Sequence, residues 1–141
     1  MAATDASQYY VGKSGEDYYV HRRAIRAPDV QEYAARTFRP YTSQSDTVLD
    51  FGCGTGGILR SIACRRRLGV EINEAAVDVA RAAGIAVFSD LALIRSESVD
   101  VAITHHALEH VAQTDMVLTH LFRIVRPGGL FGLTSDFENR R

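Results

Sequence analysis

The stretch of sequence that decides the fold covers residues 48–57 and reads Val48-Leu49-Asp50-Phe51-Gly52-Cys53-Gly54-Thr55-Gly56-Gly57. Its first half is a short apolar run and predicts a strand that is buried on both faces. The glycines that follow suit a sharp turn whose backbone approaches a ligand with no Cβ in the way. A helix that starts behind such a turn presents free N–H groups to an anion. Because Gly52, Gly54 and Gly57 also match the dinucleotide pattern GxGxxG, the glycines predict a nucleotide-like cofactor without naming it.

Beyond this loop, short apolar runs alternate with helical patterns. Strands that alternate with helices form βαβ units and a parallel sheet, so the predicted fold class is α/β. Ligands of such sheets bind at the carboxyl ends of the strands, which places the chemistry in the loops that follow them. The predicted strands are 48–51, 68–72, 85–88, 99–104 and 130–133, and the predicted helices between them are 57–63, 74–83 and 113–125.

Residues 1–46 are polar and rich in tyrosine, and they predict an N-terminal arm ahead of a domain at 47–141. One helix is expected in the arm, at 29–38, where the apolar residues share a stripe and Pro40 stops the helix. The arm's tyrosines suit either a lid over the ligand or an arm packed on the sheet edge. Those that precede the predicted helix are Tyr9, Tyr10, Tyr18 and Tyr19.

The composition fits one globular domain, because the 141 residues are 46% hydrophobic and 23% charged. Sixteen Lys and Arg balance 17 Asp and Glu. The surface therefore carries no net field to hold a nucleic acid, and no nucleic-acid partner is expected. The sequence has neither a spanning apolar run nor a secretory signal, so we expect no membrane association. Two cysteines make no disulfide framework, which favours a cytoplasmic protein.

Two acidic residues narrow the choice of cofactor. Glu71 lies at the end of the second predicted strand, about 20 residues beyond the first, where a carboxylate accepts the ribose hydroxyl protons of a nucleoside. Asp50 lies two residues before the first glycine, where it would repel a pyrophosphate. A ligand with an ammonium group and no phosphates fits this position better. S-adenosylmethionine combines an adenosine with such a tail.

Five segments resemble the motifs of the class I S-adenosylmethionine-dependent methyltransferases, and they occur in the family's order. Residues 48–56 resemble motif I, and Gly69-Val70-Glu71-Ile72 resembles the acidic motif of the second strand. Ser89-Asp90-Leu91 matches the position after the third strand. Residues 100–111 resemble the fourth-strand block of the small-molecule "type 11" branch, and residues 123–129 resemble its turn before the fifth strand.

The resemblance implies a Rossmann-like three-layer sandwich with a mostly parallel sheet in the strand order 3-2-1-4-5. It also implies an enzyme that uses S-adenosylmethionine, releases S-adenosylhomocysteine and transfers a methyl group to a small molecule. The positions that match the family's cofactor site are Asp50, Gly52, Gly54, Glu71, Ile72, Asp90, Leu91 and His105.

The resemblance also implies a role for each position. The two glycines contact the methionine part, and Asp50 orients the ammonium group. Glu71 binds the ribose, and the side chains of Ile72 and Leu91 lie on the faces of the adenine. Asp90 binds the adenine amino group. His105 meets the methionine part through its backbone.

Two histidines are candidates for a general base. Removal of an acceptor proton near neutral pH suits imidazole, so His106 and His110 are the predicted catalytic residues, although a structural role fits them equally well. With Glu109 they spell the inverted zinc-protease motif HxxEH. That motif needs both histidines on one helical face and a third ligand further along. His106 directly follows a predicted strand, so we expect no metal and place Glu109 and His110 at the opening of a helix.

Enzymes of this family carry seven strands, the last two in an antiparallel hairpin, whereas this sequence predicts five. We therefore expect a domain that lacks the hairpin, as a fragment, a truncated product or a protein that covers its fifth-strand edge by forming a homodimer. Two alternatives to the methyltransferase stay open. One is a remnant that binds the cofactor or dimerises without catalysis, and the other is a dinucleotide-dependent oxidoreductase.

Overall fold

The computed structural model describes residues 6–22 and 27–135, and its centre is a five-stranded sheet. The strand order is β3-β2-β1-β4-β5, and every neighbouring pair is parallel. The predicted α/β class and strand order are therefore confirmed. The strands are β1 Thr47–Phe51, β2 Arg66–Val70, β3 Ala86–Phe88, β4 Val99–His105 and β5 Val125–Thr134.

Helices cover both faces of the sheet because alternate residues of each strand point to opposite sides. Val48 of β1 belongs to a core cluster with α2, α3 and α4, whereas its neighbour Leu49 belongs to a second cluster with α5. The fold is thus a three-layer sandwich with one apolar core on each side. The helices are α1 Gly12–His21, α2 Pro28–Phe38, α3 Gly57–Arg60, α4 Glu74–Ala82 and α5 Thr114–Ile124.

Two strands, β2 and β5, differ from their predicted bounds by more than one residue. β2 ends at Val70, so Glu71 and Ile72 lie in the loop after the strand. β5 begins at Val125, ahead of the predicted 130, because the register with β4 shifts between Val99 and Val101. The extra residues of β5 face Asp100, whose carboxylate accepts from Arg126 and from the backbone N–H of Thr47. The N–H of Thr47 and the guanidinium of Arg126 hold the pKa of Asp100 below its usual range. Both donors bind at the place where the register shifts.

The prediction of a single helix in the N-terminal arm was wrong. A second α-helix, α1, and a 3₁₀ helix at Ala6–Tyr10 precede α2. The residues of α1 contain two glycines and show little apolar periodicity, so the sequence carries no local signal for it. Its stability comes from tertiary packing, since Gly15 is buried against the preceding 3₁₀ helix. Within the described residues, no helix has the length and apolar character needed to cross a membrane.

Candidate active site

The first two glycines of the loop after β1 differ in the room that they leave for a side chain. The backbone N–H groups of Gly52 and Cys53 both donate to the carbonyl of Val70, at 2.9 and 3.1 Å, which ties the loop to β2. Gly52 has φ +77°, and a Cβ there would lie 2.6 Å from the Cβ of Ala107. Gly54 has φ +54°, and a Cβ there would meet nothing within 4 Å. The space beside the backbone of Gly54 is therefore empty, and the role of this glycine in cofactor binding stays a prediction.

Glu71 is held against this loop by backbone donors. Its Oε2 accepts from the N–H of Gly54 at 2.9 Å, although the two residues are 17 positions apart. Its Oε1 accepts from the N–H groups of Ile72 and Asn73, at 2.8 and 2.9 Å. These three donors fix the carboxylate where the loops after β1 and β2 meet. Oε2 keeps a lone pair for another donor. This geometry suits an acid that binds hydroxyl groups.

Asp50 lies inside the protein beneath the glycine loop. It is 2% exposed, and within the described part of the chain its Oδ1 has no hydrogen-bond partner. Burial raises the pKa of this carboxyl well above its usual range, and the negative charge of Glu71 raises it further. A buried carboxylate oxygen without a donor costs free energy until a ligand supplies one. A ligand that carries an ammonium group fits this requirement.

A groove with a volume of about 450 Å³ lies between the end of β2, the end of β3 and α4. Glu71 and Ile72 line one end of it, and Phe88 and Ser89 line the other. The groove has the apolar and polar walls that a nucleoside base needs. Glu71 itself lines the groove, so its carboxylate and the groove belong to one region of the surface.

The two predicted adenine contacts after β3 are placed differently from each other. Asp90 is exposed, and its side chain accepts the N–H of Ala92 at 2.8 Å, which caps the 3₁₀ helix Leu91–Leu93. Leu91 is 4% exposed and packs in the core cluster that contains Val70. The structure thus brings Asp90 to the surface near the groove and keeps the side chain of Leu91 in the core.

Three histidines gather at the end of β4. The Nδ1 of His105 lies 2.6 Å from the hydroxyl oxygen of Thr134 on β5. His106 has φ +50°, a left-handed conformation that a non-glycine residue adopts only when its surroundings hold it there. Its Nδ1 lies 3.4 Å from Oε1 of Glu109. The ring of His110 packs edge-on against that of Tyr10, with centroids 5.8 Å apart.

The expectation that Glu109 and His110 open a helix was wrong. They lie in a short 3₁₀ turn at Leu108–His110, and α5 starts later, at Thr114. In this turn Glu109 accepts from the hydroxyl of Ser135 at 3.0 Å, and the ring of His110 contacts Tyr10. Within residues 6–22 and 27–135, no group of three His, Cys, Asp or Glu side chains is placed to hold a metal ion.

Cys53 lies in the glycine loop but is unsuited to nucleophilic chemistry. The thiol is 5% exposed, and burial raises its pKa, as do the charges of Asp50 and Glu71. Its Sγ fills the space above Gly69, where a Cβ would approach to 2.4 Å. Cys53 therefore joins the loop to β2 by packing.

Two residues at the site were not predicted. Asn73 joins the Glu71 loop to α1, since its Nδ2 donates to the carbonyl of Gly15 at 2.8 Å. Tyr10 was expected only as one of several tyrosines in an arm, and it contacts His110. A weak signal existed for Asn73, because asparagine before a helix is a common N-cap. No sequence signal pairs Tyr10 with His110.

Comparison with known proteins agrees with this geometry. A family model described as "Methyltransferase domain" matches residues 49–133. A ubiquinone biosynthesis O-methyltransferase of Sinorhizobium fredii is 36% identical over 118 residues, which cover 75% of this chain and 47% of that protein. The chain spans half or less of the length of the curated relatives that it matches.

Solved structures share the fold. A structure of the complex between the Haloferax volcanii Trm112 methyltransferase activator and a methyltransferase has a TM-score of 0.71 at 21% identity. The match covers 91% of this chain and 58% of that one. An S-adenosylmethionine-dependent methyltransferase of Mesorhizobium loti has a TM-score of 0.61 at 26% identity, over 78% of this chain and 54% of that one.

The family match spans the glycine loop, the Glu71 loop and the histidines after β4, so it covers the strands whose carboxyl ends form the site. The chain belongs to the methyltransferase domain family of class I S-adenosylmethionine-dependent methyltransferases.

Proposed function

We propose that this protein binds S-adenosylmethionine and transfers its methyl group to a small-molecule acceptor. The observation that carries the proposal is the buried Asp50 carboxylate, whose Oδ1 has no partner in the described residues and lies beneath an open glycine loop. An ammonium group satisfies this oxygen, whereas a pyrophosphate in the same loop would be repelled by it. The family match supports the same cofactor.

The chain offers one group for each part of the cofactor. Asp50 would hold the ammonium group, and the backbone at Gly54 would lie against the methionine part. The free lone pair of Glu71 would accept a ribose hydroxyl proton, and the groove beside it would hold the adenine. Asp90, at the surface near this groove, would accept from the adenine amino group. Leu91 contributes from the core, by supporting the wall behind Val70.

When bound, the cofactor supplies a methyl group on a positively charged sulfur, which is an electrophile that needs no further activation. The chain's own contribution is to orient the acceptor and to take up its proton. His106 and His110 lie after the end of β4, and the imidazole of one of them would accept the proton of an acceptor hydroxyl. The methyl group would leave the sulfur as the O–CH₃ bond forms, with S-adenosylhomocysteine as the leaving group. Glu109, 3.4 Å from His106, orients that ring and stabilises it when protonated.

A hydroxyl group on a small molecule is the proposed acceptor. The relatives with 36% identity are named for O-methylation in ubiquinone biosynthesis, which supports an oxygen acceptor for this chain as well. The imidazoles at the mouth agree with this choice, because a hydroxyl is a poor nucleophile until its proton is removed.

Calorimetry tests the proposal directly. We expect S-adenosylhomocysteine to bind and NAD at the same concentration to give no binding heat. Absence of S-adenosylhomocysteine binding would overturn the proposal, and NAD binding would favour an oxidoreductase. Formation of S-adenosylhomocysteine from S-adenosylmethionine, with a panel of hydroxylated aromatic acceptors, then separates an enzyme from a protein that only binds the cofactor.

The outer edge of the sheet is proposed as a contact between two copies of the chain. β5 is the last strand in the sheet order, and its exposed apolar side chains include Leu130, Phe131 and Leu133. Unpaired edge strands readily pair with another chain. Sedimentation velocity should show a dimer that Leu133→Lys converts to monomer, and a wild-type monomer at high concentration would refute the contact.

A further inference from the structure

Asn73 lies where the N-terminal arm meets the loop that carries Glu71. It is 5% exposed, in the connection between β2 and α4. Its Oδ1 accepts the N–H of Ala76 at 3.3 Å, and its Nδ2 donates to the carbonyl of Gly15 in α1 at 2.8 Å. One buried amide therefore caps α4 and fastens the arm to it.

The backbone of Asn73 also holds the cofactor-binding acid. Its N–H donates to Oε1 of Glu71 at 2.9 Å, beside the N–H of Ile72 at 2.8 Å. The other carboxylate oxygen accepts from Gly54 in the glycine loop. A displacement of Asn73 thus removes a donor from Glu71, and a ligand that fixes Glu71 also fixes Asn73.

The arm reaches from this point to the acceptor side of the site. Gly15 packs so closely on the 3₁₀ helix that a Cβ would lie 2.3 Å from the carbonyl oxygen of Tyr10. The Tyr10 ring contacts the rings of Tyr18, at 4.8 Å, and of His110, at 5.8 Å. Residues 6–22 therefore connect the Glu71 loop with a candidate general base.

We infer that Asn73 is a positioning residue that couples the seating of the arm, residues 6–22, to cofactor binding. The inference rests on the proposed function. Ribose hydroxyls that bind Glu71 restrain the loop, the restrained loop holds the Asn73 amide, and the amide holds α1 through Gly15. Because coupling is reciprocal, a seated arm also strengthens cofactor binding.

Hydrogen exchange measured by mass spectrometry on the whole chain tests the coupling. In the wild type, saturating S-adenosylhomocysteine should slow amide exchange in residues 12–21 by about fivefold or more. Asn73→Asp keeps the acceptor for Ala76 and loses the donor to Gly15. We expect exchange in its arm to become insensitive to the ligand, and its Kd to rise about fivefold, as loss of one neutral hydrogen bond implies.

Two further variants make the result specific. Asn73→Ser keeps a capping oxygen, adds no charge and cannot span the distance to Gly15, so it should behave like Asn73→Asp. Asp17→Asn removes an exposed charge from α1 without changing the Asn73 amide, and it should keep the wild-type response. Melting curves of all three show whether the fold is retained.

The outcomes separate this inference from the proposed function. If wild-type protein binds S-adenosylhomocysteine while exchange in the arm stays unchanged, the coupling is refuted and the proposed function stands. The coupling is also refuted if the arm of both Asn73 variants still responds to the ligand. If the wild type does not bind the ligand at all, the proposed function fails, and the coupling fails with it.

Discussion

At the carboxyl ends of β1 and β2 the site is built largely from backbone groups, whereas at the ends of β4 and β5 it is built from side chains. The N–H groups of Gly54, Ile72 and Asn73 fix Glu71 in the first region. In the second, His105 bonds Thr134, and the hydroxyl of Ser135 donates to Glu109 at 3.0 Å. Backbone groups do not depend on the side chains around them, so they suit a ligand that is the same in every member of a family. Side chains can be substituted during evolution, so they suit an acceptor that differs from one member to the next.

This difference predicts where a substitution acts. A change at the ends of β1 and β2 should alter cofactor affinity, and a change at the end of β4 should alter the rate with affinity preserved. A variant in one region that changes both the cofactor affinity and the rate would show that the two regions are coupled.

The largest effect is expected on the β4 side. His106→Ala and His110→Ala each remove an imidazole from the mouth, and loss of the residue that takes up the proton should lower kcat by about 100-fold. The affinity of His106→Ala for S-adenosylhomocysteine should stay within about twofold of wild type, whereas His110→Ala also removes the contact with Tyr10 in the arm. Single-turnover rates and calorimetry measure the two quantities, and a variant with unchanged kcat is excluded as the base.

The next effect is expected at Glu71. Glu71→Ala removes the acceptor for the ribose and leaves the N–H of Gly54 without its partner, so affinity for S-adenosylhomocysteine should fall about 30-fold. Glu71→Gln keeps the shape and one acceptor oxygen, and should lose less. An affinity within twofold of wild type in Glu71→Ala would show that the ribose is bound elsewhere.

Asp50→Asn should weaken binding and stabilise the free protein at the same time. Loss of the charged partner for the ammonium group lowers affinity about tenfold. Removal of a buried, unpartnered carboxylate raises the free energy of unfolding at neutral pH by about 1 kcal/mol. Calorimetry and urea denaturation measure the two changes, and a destabilised variant would show that the carboxylate supports the fold.

The same residue predicts a pH dependence. Its pKa is raised in the folded chain, so its contribution to stability is complete below the ordinary Asp pKa and is lost as pH rises through the raised value. An ammonium group favours the ionised form, so cofactor binding should release a proton and strengthen as pH rises across that window. Calorimetry in buffers of different ionisation enthalpy should detect the proton, and Asp50→Asn should abolish its release.

The smallest effect is expected at Asp90. This carboxylate is exposed, and water competes for its bond to the adenine amino group, so Asp90→Ala should weaken binding only about threefold. It also removes the cap on the 3₁₀ helix. Asp90→Asn keeps a capping oxygen but loses the charge, and it serves as the control. A threefold loss of affinity in Asp90→Asn as well would show that the effect comes from the charge and not from the cap.

The sequence predicted the turn after β1 and the acidic residue at the end of β2, because glycine spacing and a strand-end acid determine backbone geometry directly. The binding roles of these residues stay predictions. The sequence did not predict that Oδ1 of Asp50 lacks a hydrogen-bond partner in the described residues, nor that three backbone N–H groups donate to Glu71. Helix α1 and the Tyr10–His110 contact could not be predicted, since both depend on packing between residues far apart in the chain. The same holds for Leu91. Its position in the motif predicts a contact with the adenine, whereas its side chain is buried in the core.

The contact between Gly52 and Ala107 has a consequence for substitutions at position 52. These residues belong to the loops after β1 and β4, and a side chain at 52 would overlap the methyl group at 107. Position 52 is therefore restricted to glycine for two independent reasons, its φ of +77° and the methyl group of Ala107. A larger residue at 52 would push the loops after β1 and β4 apart, so a single substitution there would disturb both ends of the site at once.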